Sequence, residues 1–181
     1  MAEAAPATDR LVLRGWRDAD HTALLALCRD PRVMEFLGPP QSAEEVTAAI
    51  ARMRATQEVH GHCFWAVERR ADGAMLGFCG LQPGPDDTPI AGRIEIGWRL
   101  RVDAWGQGYA REAAQASLDW AWANLEAESI WAMTVPANRR SWGLMERLGM
   151  ARHPDLDFDH PAVPADSPLR RHITYSIARY G

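Results

Sequence analysis

Residues 103–112 read DAWGQGYARE, and the run that follows, YAREAAQASLDWAWANL, reads as a helix over about 110–125. Gly106 and Gly108 stand directly before that helix. Glycine costs backbone entropy unless the chain needs a positive φ or a close approach to something. One use for such a loop is to aim backbone N–H groups at a phosphate, and a bland turn is the alternative. On either side, RIEIGWRLR (93–101) and SIWAMTV (129–135) read as strands. Strand, helix and strand form a βαβ unit, expected to be parallel and right-handed. The glycine loop falls at its strand-to-helix corner, where ligands favour the end of parallel strands.

Working outward, RLVLRGW (10–16) alternates as a half-buried strand, and DADHTALLALCRD reads as a short helix ended by Pro31. SAEEVTAAIARMRATQEVHG is a stronger helix, with Ser42 and Glu45 as a capping box and Gly61 just past its end. CFWAVER and AMLGFCGL are strands joined by a turn at ADG, and 82–92 is a loop rich in Gly, Pro and Asp. NRRSWGLMERLGM is a short helix stopped by Gly149, the tail is irregular to about Pro168, and RRHITYSIARY closes as a strand. The expected order is β, two helices, β-β-β, helix, β, helix, β, in one domain over 1–181 with a flexible start at 1–8. The fold class is α/β (α+β), a mixed sheet with helices on both faces.

Bulk properties narrow the function. A length of 181 residues, 47% apolar and 24% charged, suits one ordinary domain. No apolar run is long enough to span a membrane, and the start lacks a signal-peptide pattern. The three cysteines, Cys28, Cys63 and Cys79, fit neither a disulfide framework nor a zinc pattern, so a reduced cytoplasmic protein with buried thiols is expected. A net charge of −4 argues against broad nucleic-acid binding. His60 and His62 read as surface residues rather than metal ligands, and no metal is expected. The acidic stretch DLDFDHP (155–161) is either a solvated loop or a wall for a cationic substrate.

Three phosphate-binding readings compete for the glycine loop. A Walker loop needs Lys then Ser or Thr after the second glycine, and GQGYARE has neither. A dinucleotide fingerprint needs a third glycine where Arg111 stands. The third reading takes several segments together. EIGWRLRVDAWGQGYAREA, followed by VPANRRSWGLMERLGM, resembles the GNAT family of acetyl-CoA-dependent N-acetyltransferases, and more closely its ribosomal-protein N-terminal acetyltransferase branch. The likeness covers nearly the whole chain. The family's Q/R-x-x-G-x-G/A loop is matched at Gly108 and Ala110, with Trp105 in the first place.

The resemblance implies a GNAT fold in which strands 93–101 and 129–135 form a central, splayed parallel pair. It implies acetyl-CoA as cosubstrate, its pyrophosphate on the N–H groups of Gly106, Gln107, Gly108, Tyr109, Ala110 and Arg111. Its pantetheine arm would lie along Trp98, Arg99, Leu100 and Arg101. Arg101 and Arg111 could add charge or be solvated surface arginines. Asn138 would contact the cofactor arm, cap the following helix, or both. Glu95 is the implied general base, with a structural pairing to an arginine such as Arg93 as the alternative. Met145 stands where many relatives carry a proton-donating tyrosine, and Ser141 matches the serine of the ribosomal branch; its alternative is a plain first-turn serine. The acceptor would be a protein N-terminus or a small amine, held by segments 30–60 and 82–92, with the chain a monomer or homodimer. A coenzyme A-binding sensor without turnover is the competing function.

Overall fold

The alternation in RLVLRGW becomes β1 (Leu11–Arg14), with Leu11 and Leu13 buried and their neighbours half-exposed. The computed structural model describes residues 5–179. It resolves into two compact units. The first holds the described residues up to Gln82 together with Ile96–Asn124; the second holds Pro83–Glu95 and the described residues from Leu125.

In the first unit β1 pairs antiparallel with β2 (Phe64–Arg69), and β2 with β3 (Met75–Pro83). β4 (Ile94–Leu100) begins in the second unit and continues into the first, where the amide of Arg101 donates to the carbonyl of Leu76. Helix α1 (Asp20–Arg29) is followed by α3 (Ala43–His60), whose capping box forms as its sequence predicts: Ser42 Oγ accepts from the Glu45 amide, and the Glu45 carboxylate accepts from the Ser42 amide. Pro31 does more than end α1. With Asp30 as N-cap it opens a further one-turn helix, α2 (Pro31–Met34), because proline's missing N–H costs nothing at a first helical position. Three helices therefore precede β2 rather than two. α4 (Tyr109–Asn124) completes this unit, with Trp65 fully buried and edge-on to Trp120 at 5.1 Å.

Of the expected flexible start at 1–8, residues 1–4 lie outside the described residues. Ala7 bridges to Val12, and the Thr8 hydroxyl donates to Glu112 and accepts from the Leu11 amide.

In the second unit β5 (Ser129–Thr134) pairs in parallel with the start of β4, Ile94 with Ile130 and Glu95 with Trp131. This is the parallel partnership expected of the βαβ crossing. β5 also pairs antiparallel with β8 (Arg171–Ala178) along its whole length. The tail expected to be irregular contributes β6 (Ala151–Arg152) and β7 (Phe158–Asp159), both antiparallel to β8. Two-residue strands carry too little alternation to be seen in a sequence. Helix α5 (Arg139–Arg147) buries Leu144 and Met145.

A buried ion pair fastens β1 to the start of α1. Arg14, 12% exposed, meets Asp20, 5% exposed, through two 2.8 Å bonds, and its Nε reaches Glu68 at 2.6 Å. Burial pushes the Asp20 carboxyl up, but the bonds from Arg14 and from the Arg17 amide outweigh it and hold the group below its ordinary value of 3.8. A depressed folded pKa gives stability that is present above the unfolded value and lost as pH falls through the folded one. Asp20→Asn is expected to lower unfolding free energy by about 2 kcal/mol at neutral pH. The deficit relative to wild type should shrink below about pH 4, as read by urea melts across pH.

Candidate active site

The turn from β4 into α4 is built from tightly placed parts. Trp105 donates its indole N–H to the Leu100 carbonyl at 2.8 Å, folding the loop back on the end of β4. Gly106 and Gly108 have φ of +72° and +82°, a region that L side chains rarely adopt. A Cβ at Gly106 would meet nothing within 4 Å, so conformation and not crowding requires glycine there. The Gln107 side chain turns inward to the Asp103 carbonyl at 2.6 Å. Gly106, Gln107 and Gly108 are exposed. The Glu112 amide bonds to the Gly108 carbonyl, so the N–H groups of Tyr109, Ala110 and Arg111 precede the first helical turn's closure. The result is an exposed helix N-terminus with its positive dipole end at a glycine turn, the geometry that takes an anion.

Side chains around the turn divide in role. Tyr109 is buried, and its ring lies under the Arg10 guanidinium at 4.6 Å. Its contribution to an anion site is therefore its amide and not its phenol. Arg101 is tied to Asp103 at 2.6 Å, while Arg111 is exposed on the first turn of α4. Arg10 escapes a reading of the sequence. It pairs with Glu112 at 2.5 Å and donates to the Gln107 carbonyl at 3.1 Å, joining β1's approach to the loop across 97 positions of chain. No local pattern marks such a residue; only its place just ahead of a strand hints at it.

Arg99 sends its side chain into the first unit. Its side chain reaches α1, donating from Nη1 to Cys28 Sγ at 3.3 Å, and lies 5.2 Å from the Phe78 ring. It lines a cavity of about 330 Å³ in the first unit, together with Gln41, Arg52, Phe64 and Gln82. Gln41 and Arg52 come from the expected acceptor segment 30–60, and Gln82 from 82–92. Cys63 also lines this cavity, and burial pushes its thiol up to about 12, which keeps it protonated and unreactive. Trp98 is half-buried and Leu100 is buried.

In the second unit Glu95 is 8% exposed and stands in register beside Trp131. The Arg93 guanidinium lies over the Trp131 ring at 3.9 Å, and His153 packs on the same ring at 4.9 Å. Asn138 caps α5: its Oδ1 accepts from the Ser141 amide at 3.3 Å. Ser141 is half-buried in the first turn of α5, and Met145, one turn on, is 2% exposed.

One expectation needs correcting. His62 is buried, not a surface residue: its Nδ1 lies 2.9 Å from the Leu81 carbonyl, and burial lowers its pKa. In the acidic stretch 155–161, two of the carboxylates face arginines. Asp157 pairs with Arg152 at 2.6 Å, and Asp159 faces Arg170 and Arg171 at 3.6 and 3.5 Å. Among the described residues no cluster of three or more His, Cys, Asp or Glu is placed to hold a metal, and no helix is long and apolar enough to cross a membrane.

Comparison with known proteins agrees with this geometry. The acetyltransferase (GNAT) domain family matches residues 10–151, and the chain belongs to that family. It is 30% identical over 144 residues to the uncharacterized protein YkkB of Bacillus subtilis, covering 79% of this chain and 83% of that one. It is 28% identical over 162 residues to the FsC-acetyl coenzyme A-N(2)-transacetylase of Aspergillus fumigatus, covering 86% and 68%. A GNAT-family acetyltransferase structure from Bacillus anthracis superposes with a TM-score of 0.79 at 22% identity, over 97% of this chain and 99% of that one. The fold is thus the GNAT fold, a mixed sheet with one parallel pair.

If Arg10 braces the glycine turn, Arg10→Ala should loosen it locally. Amide hydrogen exchange within 106–110 is expected to quicken at least severalfold, with core amides of β2 and β3 unaffected.

Proposed function

We propose that the chain is an acetyl-CoA-dependent N-acetyltransferase that moves the acetyl group to a primary amine by direct attack in a ternary complex. The observation that carries this reading is the exposed N-terminus of α4 behind two positive-φ glycines. Coenzyme A carries a pyrophosphate, and amides of 106–111 can donate to it without spending side-chain charge. The Aspergillus relative's name, which includes acetyl coenzyme A, supports the same donor. β4 from Trp98 to Arg101 offers backbone to the pantetheine arm in the manner of an added strand.

The bound thioester supplies the acetyl group; the chain's residues manage protons. An amine attacks only when neutral, and amines are mostly protonated at neutral pH. Glu95, nearly buried on β4, accepts that proton directly or through water. The departing thiolate needs a proton or a hydrogen bond, and Met145 can give neither. The Ser141 hydroxyl takes that role, held in the first turn of α5 by the Asn138 cap. Cys63 and Cys79, both pushed up to about 12 by burial, are poor candidates for an acyl carrier, which favours direct transfer. Trp105 and Ser141 favour the ribosomal-protein branch of the family. Three free, buried cysteines favour a reducing, cytoplasmic setting.

Acetyl-CoA or coenzyme A is expected to raise the melting temperature, and ATP or NAD to do so much less; Gly108→Val should abolish the coenzyme response while leaving the protein folded. Stabilisation by NAD with none by coenzyme A would overturn the reading. Release of free thiol from acetyl-CoA across a panel of amines separates an enzyme from a sensor without turnover.

For the chemical step, Glu95→Gln should lower turnover most at low pH, where most of the amine needs deprotonation. Ser141→Ala should slow single-turnover transfer by about 10²–10⁴-fold. Coenzyme affinity should barely change in either variant. A pH-independent small loss at Glu95, or wild-type transfer at Ser141, would assign the residue to structure.

A further inference from the structure

The other arginines of the first unit that approach carboxylates are neutralised: Arg10 by Glu112, Arg14 by Asp20 and Glu68, Arg17 by Glu68, Arg32 by Asp30, Arg54 by Asp18, Arg69 by Asp72, Arg101 by Asp103. Arg99 is different. Its Nη1 is spent on a thiol sulfur, a weak acceptor, and its Nε is sealed from water with no hydrogen-bond partner. Among the described residues no carboxylate meets it. A part-buried guanidinium left in this state is costly, and a bound anion removes the cost.

The cavity that Arg99 lines has the character to supply one. A second arginine, Arg52, lines it, and no acidic residue does. Its aromatic wall is the stacked pair Phe64 and Phe78, with ring centroids 5.5 Å apart. Gly97, two residues before Arg99 on the same face of β4, keeps that wall in place: a Cβ there would stand 2.7 Å from Phe64. A volume of about 330 Å³ is small, at the low end of small-molecule sites. Two cations and no anion repel a polyamine. A planar guanidinium suits a carboxylate, and the phenyl rings suit an apolar side chain.

Resting on the acetyltransferase reading above, we propose that this cavity selects the acceptor as a small amine carrying a carboxylate, of the free amino acid class with an apolar or aromatic side chain, and that Arg99 receives the carboxylate. The Arg99 side chain is then a specificity group, distinct from the backbone of 98–101 proposed for the coenzyme arm.

The test compares L-phenylalanine, L-phenylalaninamide, a phenylalanine-initiated peptide and spermidine as acceptors, by thiol release and by calorimetry. The amide keeps the amine and loses only the negative charge. Wild-type protein is expected to prefer the acid over the amide by about 10- to 100-fold in kcat/KM, with spermidine and the peptide poorer still. Arg99→Gln should collapse the acid-to-amide ratio toward one, through KM for the acid, while the KM for acetyl-CoA stays the same. Should that variant misfold, the wild-type ratio decides alone. An amide, peptide or polyamine used as well as the acid overturns the proposal and leaves the acetyltransferase reading standing. Binding of the acid over the amide, without any response to acetyl-CoA, supports the cavity's role and overturns the acetyltransferase reading instead.

Discussion

A helix can present its first amides to a ligand only if the chain enters it without covering them. In this protein that constraint is met by two left-handed residues, Gly106 and Gly108, between the end of β4 and the start of α4. The indole of Trp105 pulls the turn back on Leu100, and Gln107 closes it on Asp103. Arg10 then fixes it from outside, bonded to the Gln107 carbonyl and to Glu112 one turn into the helix. In the proposed coenzyme site, backbone conformation does the work that a lysine does in other phosphate loops, which leaves the loop's side chains free for structure.

The same economy holds along β4. Backbone there serves its neighbours on the sheet and the proposed coenzyme arm. Its side chains are apportioned among tasks: Arg93 rests on Trp131, Glu95 is nearly buried, Gly97 makes room for Phe64, and Arg99 turns into the cavity. A single strand thus carries the proposed base and the proposed selector of the acceptor, while the amides of the following helix are proposed for the donor.

Much of this was legible in the sequence because it is local. The capping box of α3, the alternation of β1 and β4, the glycine turn and the Asn138 cap are each written within a few residues. What escaped was long-range or short. The sequence around Arg10 says nothing of a loop 97 positions away. Arg99 stands in the strand segment expected to meet the coenzyme arm, and only the packing of α1 shows its side chain meeting Cys28. His62 beside a helix end looks solvent-facing until the Leu81 carbonyl is placed against it. β6 and β7 owe their existence to β8, whose edge bonds them although they have no pattern of their own. Pro31 ends α1 as its sequence implies, but its second use, opening a helix, depends on Asp30 folding back to cap it.

α3 is secured by its own sequence at its start, where Ser42 and Glu45 bond each other's amides, and it buries only Val46, Ile50 and Met53. Arg54 ties it to Trp16 and Asp18, while Ala49, Arg52 and Thr56 line the cavity. Those three positions are exchangeable parts. Evolution can rewrite the residues that α3 turns to the cavity, and with them the proposed choice of acceptor, while the glycine turn proposed for the donor stays untouched.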